Sequence, residues 1–179
     1  MIDPPFLPTP VDGSQGGKLN IDPSTTFKLS LGPNSTSSIY DAYVRFFYDE
    51  IKDGETMSKS IDWQLLKNDD KFEINERSEA FYSLLANSLE EDPNIIRFQR
   101  GASFTLVTGA QEIADYIRIG RANLGITSSG EVPVYQGSLS YGFGLFSSRY
   151  TELRDELELT QITRDSIALG PITGSLGFQ

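Results

Sequence analysis

The sequence contains no cysteine and no histidine. Without a thiol there is no disulfide, no thiolate nucleophile and no zinc–sulfur ligation. Without imidazole the usual general base near neutral pH is missing, together with the commonest transition-metal ligand. Ser-His-Asp, Cys-His, zinc-hydrolase and facial-triad chemistries fall together. The lack of cysteine leaves the compartment open, since cytosolic, extracellular and virion proteins all manage without it. Positive charge is also scarce: 15 Lys and Arg stand against 25 Asp and Glu, a net charge of −10 with a pI near 4.4. A net negative field repels phosphate backbones and anionic lipid, so neither direct nucleic-acid binding nor a membrane partner is expected. No apolar run approaches the roughly 18 residues that span a bilayer. The opening MIDPPFLPTP has neither the basic nor the apolar region of a signal peptide, so none is expected.

What is present is aromatic: 11 Phe, 8 Tyr and one Trp within an apolar fraction of 38%. A low apolar total concentrated in aromatics implies a compact core with polar or Pro/Gly-rich extensions. At 179 residues the length suits one domain able to bury most of its surface without staples. We divide it into an extended N-terminal arm over 1–26, a core over 27–169 and an extended tail over 170–179. Four prolines and three glycines within residues 1–17 oppose a helix there. Phe6 and Leu7 inside that arm fit either loose packing on its own domain or docking on a neighbouring subunit.

Residues 138–145 alternate between Ser or Gly and Leu, Tyr or Phe, the pattern of a strand with one apolar and one bare face. This strand, carrying Tyr141 and Phe143, is expected to organise the sheet. Further strands are expected over 27–31 and as hairpins over 95–107 (turning at Arg100-Gly101) and 157–169 (turning at Arg164-Asp165). Helical spacing of Ile39, Tyr43, Phe46, Phe47 and Ile51 predicts a helix over 38–52. Others are expected over 75–89 and from a Thr108–Gln111 capping box to about 125. Residues 57–72 fit either state, with an edge strand over 60–66 preferred. The fold class is thus α+β: a mostly antiparallel sheet built largely from the C-terminal half, packed by about three helices, with arms at both ends.

No motif carries chemistry. Acid clusters at 49–55 and 90–92 read as solvated surface, and no carboxylate pair occupies an aromatic cleft as glycoside hydrolysis requires. The oxygen-rich run over 68–76 lacks the spacing and the central Gly of a calcium loop. Gly142-Phe143-Gly144 is a lone G-x-G inside a strand, not a phosphate cradle. No catalytic, cofactor-binding or metal-ligating residue is assigned, and no cofactor. Residues 41–92 hold 14 acids and 6 bases, whereas Arg97, Arg100, Arg118 and Arg121 face only two acids between them. Such asymmetry suits head-to-tail pairing of copies as well as ordinary surface ion pairs.

These features point to a non-enzymatic structural subunit that self-assembles, of virion shell, tail or filament type. Its expected partners are copies of itself and other structural proteins. Its expected location is then the virion, or an assembled particle made in the cytoplasm. The expected contacts are Phe6, Leu7, Arg97, Arg100, Arg118, Arg121, Tyr141, Phe143, Leu176 and Phe178. A small-ligand or protein-binding module with an aromatic pocket is the alternative, and a carboxylate-only hydrolase a remote one.

Overall fold

A computed structural model describes residues 17–30, 37–70, 73–125, 145 and 147–179. The chain passes through β1 (Lys18–Leu19), β2 (Thr26–Ser30), β3 (Ile39–Lys52), β4 (Glu55–Asp69) and β5 (Glu73–Arg77). It continues through α1 (Glu79–Ser88), β6 (Ile96–Gly109), α2 (Gln111–Gly125), β7 (Arg149–Leu159) and α3 (Gln161–Leu169), and a 3-10 turn follows at Gly174–Leu176. Five strands form one sheet in the order β1-β7-β6-β3-β4, and β2 and β5 form a separate antiparallel ribbon. Within the larger sheet β3–β4, β3–β6 and β6–β7 are antiparallel. The two-residue β1 runs parallel to its neighbour β7. The fold is α+β, and among the described residues both halves build the sheet: β3 and β4 come from the first half, and β3 with β6 makes the centre.

The helix expected over 38–52 is the strand β3. Its apolar residues fit both periods, because a central strand carries bulky side chains on both faces. Burial decides between them: Ala42, Val44, Phe46 and Tyr48 are buried while Tyr43, Arg45 and Phe47 between them are half-buried. A two-residue turn at Asp53-Gly54, both with positive φ, joins β3 to β4, the primed geometry that matches strand twist. The edge strand preferred near 60–66 is confirmed and is longer than expected.

The hairpin expected to turn at Arg100-Gly101 is instead the single strand β6 with a bulge. Opposite β6, Phe47 pairs with Gly101 and Tyr48 with Gln99, so Arg100 is the extra residue. Gly101 has φ +125°, and a Cβ there would stand 2.8 Å from the Leu157 carbonyl oxygen. Gly101 therefore bends the strand where a side chain has no room. The second expected hairpin is β7 followed by α3, started by Thr160, whose hydroxyl accepts from the Thr163 amide. The helix expected over 75–89 begins only at Glu79, since β5 occupies the preceding residues. The helix from 111 to 125 stands as expected, but Thr108 lies in β6 and its buried hydroxyl has no partner, so it does not cap α2.

The core lies on one face of the sheet, under the β2–β5 ribbon, α1, α3 and the C-terminal turn. Phe46 and Phe81 meet edge to face at 5.7 Å, and Trp63, Phe178 and Tyr82 extend the cluster. Leu19 and Ile21 are fully buried in it, so the chain joins the core well before residue 27. The tail expected to be extended folds back instead. Leu176 and Phe178 are buried, and Phe178 bridges to Arg97. Their apolar side chains gain more against the aromatic cluster than in water.

Candidate interaction surface

The sheet's second face begins from the strand alternation that builds the first. Tyr43, Arg45, Phe47, Asp49 and Ile51 point away from the core. Among the described residues α2 covers only one end of this face, where Ile113 and Ala114 pack on Ile39. Cross-strand pairing places Ile96 beside Ile51 and Phe98 beside Asp49, next along the face from Phe47. Ile96 is 37% exposed and Phe98 39%, large values for apolar side chains on a sheet. Farther along, Thr105 pairs with Leu153, which is 55% exposed. Near the β3–β4 turn the face thus carries Phe47, Ile51, Ile96 and Phe98 as an apolar patch, interrupted by the Asp49–Arg100 pair.

Charges around the patch are already engaged. Arg100 donates to Asp49 (Nε to Oδ2, 2.6 Å) and the Ser58 hydroxyl donates to the other oxygen at 2.8 Å. Those donors, Ser58 first, hold the Asp49 carboxyl below the usual carboxylate range. Arg45 forms a two-point pair with Asp62 at 2.6 and 2.8 Å and lies over the Tyr43 ring. On the opposite, core side of β3, Glu50 accepts from Lys59 at 2.5 Å and from Arg97 at 2.9 Å. Burial pushes the Glu50 carboxyl up, but these two cations outweigh it and hold it below its ordinary value.

Comparison with protein-family models, curated proteins and solved structures returned no match.

The expected contact residues separate into groups. Arg97 is 1% exposed and serves the interior: its Nη1 donates to the Leu176 carbonyl and its Nη2 to the Glu90 carbonyl. With Leu176 and Phe178 it locks the C-terminal turn and presents nothing to a neighbour in this conformation. Arg100 is exposed at the bulge but paired. Arg118 is exposed on α2, paired with Asp115 at 3.0 Å. Arg121 follows on α2, its side chain outside the described part. Phe6, Leu7, Tyr141 and Phe143, with the strand expected over 138–145, lie outside the described residues. None of the ten marks the sheet patch. Its signal in the sequence is the alternation Ile96-Arg97-Phe98, read as a hairpin arm without asking which side faced out.

The acids weighed for catalysis do not converge. Asp49 and Glu50 point to opposite faces of β3, and Glu90 pairs with Lys52 at 2.9 Å. Among the described residues no three acids gather as a metal ion needs, and no helix is long and apolar enough to cross a membrane. The core aromatics pack against one another. A cleft of about 330 Å³ instead lies where β4 ends beside α2, lined by Ile39, Lys67, Asp69, Ile117 and Arg118 among others.

Proposed function

We propose that the protein is a non-enzymatic structural subunit that associates with copies of itself, as the repeating unit of a shell, tail or filament. The observation that carries this reading is the apolar patch Phe47, Ile51, Ile96 and Phe98 on a sheet face that the described helices leave open. Exposed apolar side chains gathered on one face mark a contact site more often than scattered ones do. The ionisable groups beside the patch and beneath it are held in ion pairs, an arrangement suited to rigidity and not to proton transfer. A net charge of −10 opposes close approach of copies, so association should strengthen as salt screens that repulsion.

The test is light scattering on Phe98→Glu/Leu153→Glu beside the unaltered chain. Leu153 is 55% exposed and Phe98 39%, and unchanged circular dichroism checks that the variant still folds. It should build smaller assemblies at concentrations where the unaltered chain builds large ones, whereas equal association by both would remove the face from the account. The cleft beside α2 favours a second reading, a small-ligand module. Native mass spectrometry of the purified chain should show a mass excess if that reading holds.

A further inference from the structure

The outer side of β4 offers a different kind of contact. A sheet edge is a row of unpaired N–H and C=O groups, which folded proteins blunt with short strands, prolines, bulges or a covering segment. At the other edge β1 covers only Glu158 and Leu159 of β7, and a bulge with Glu156 at positive φ breaks the rest of β7. β4, by contrast, spans 15 residues without a proline, and Glu55–Ser60 is exposed throughout. Its pairing with β3 is unbroken from Glu55 to Gln64, so no bulge turns this run aside. No backbone hydrogen bond from another described element reaches it.

We infer that Glu55–Lys59 of β4 pairs antiparallel with the same run of a second copy, across a two-fold axis at Met57. The inference rests on the self-association proposed above and adds to the sheet face a second contact, an edge with its register. The axis must stand perpendicular to the sheet, which keeps each copy's faces aligned and sets like-facing residues opposite each other. Of the registers confined to the exposed run, the one centred on Glu55 opposes Glu55 to itself, and that on Lys59 opposes two lysines. Those centred on Thr56, Ser58 or Ser60 pair no opposite charges. Only the Met57 register sets Glu55 against Lys59 of the second copy, twice by symmetry. It also sets Met57, 40% exposed, against its own counterpart. Lys59 carries surplus positive charge here, because it and Arg97 together face the single carboxylate of Glu50. A neighbour's Glu55 is therefore attracted. Thr56 and Ser58 face each other on the open side, so the two apolar patches lie on the same face of one ten-stranded sheet.

The absence of native cysteine gives a clean test by Met57→Cys. Residues directly opposite in an antiparallel pair stand about 4.5–5.5 Å apart at Cα, inside the range a disulfide spans. Met57→Cys under mild oxidation should form a disulfide-linked dimer at least about tenfold faster than Ser60→Cys, whose thiols are several residues out of register. Glu55→Lys, exposed beside the turn, should raise the dissociation constant about tenfold by reversing two cross-strand pairs. If the chain self-associates but Met57→Cys links no faster than Ser60→Cys, the edge and register are wrong while the structural reading stands. If the chain stays monomeric at every concentration, both are wrong.

Discussion

Replacing Arg97 by methionine tests the device that holds the C-terminal turn to the sheet. The guanidinium is almost wholly buried and gives Nε and Nη2 to Glu50 at 2.9 and 2.8 Å. It also donates to two backbone carbonyls, of Leu176 and of Glu90 at 3.1 Å. Removing one member of a buried pair costs about 3–5 kcal/mol, mostly because the remaining charge is left without compensation. Lys59 still faces Glu50, so the lower end, about 3 kcal/mol, is expected. That is a large share of the roughly 5–15 kcal/mol that stabilises an ordinary domain. Urea denaturation followed by Trp63 fluorescence reads the loss, and hydrogen exchange should show residues 171–179 opening first. Arg97→Met/Glu50→Leu should recover most of the stability, since apolar replacement of a whole buried pair is close to neutral. A single variant that loses less than about 1 kcal/mol would refute the reasoning, because exposed pairs are worth no more. So would a double variant no better than the single.

Two further outcomes follow from the same geometry. Gly101→Ala should cost about 2 kcal/mol or more by urea titration, combining a positive φ with a collision against the Leu157 carbonyl; unchanged stability would show that the bulge relaxes freely. In acid, Asp22, Asp49, Glu50 and Asp62 all have carboxyls held below their ordinary range. Their contribution is complete above the unfolded value near pH 4 and is lost as pH falls through the lower folded values. The urea midpoint should therefore hold steady from about pH 5 to 7 and drop below about pH 4; a midpoint that rises on acidification would contradict the assigned pairs.

How much of this was legible in the sequence depends on what each residue had to reveal. The strand expected over 27–31 and the edge strand in 57–72 declared themselves through local pattern, and the helix from 111 through the spacing of Ile113 and Ile117, although Thr108 does not cap it. β3 did not, because Tyr43, Phe46, Phe47 and Ile51 satisfy a helical stripe while Ala42, Val44, Phe46 and Tyr48 satisfy a strand. Only the neighbours β4 and β6, distant in sequence, choose between them. Arg100-Gly101 was visible as a backbone irregularity, yet a bulge and a turn share the same glycine, and the long partner β3 keeps the strand going. Thr160 was missed as a cap since Ile162 and Ile167 flank a plausible Arg164-Asp165 turn. Arg97 could not be distinguished from Arg100 by sequence, although one is buried and the other exposed. That contrast follows from strand alternation and the bulge between them. The Phe98 patch was hidden for the same reason, since its exposure depends on which face α1, α3 and the C-terminal turn choose to cover.

Sedimentation velocity of the unaltered chain, from about 1 µM to about 1 mM at low and high salt, tests the central claim that this protein works by contact with its own copies. The account predicts a weight-average sedimentation coefficient that climbs with concentration and climbs further when salt is added. A single monomeric boundary under every condition would contradict it.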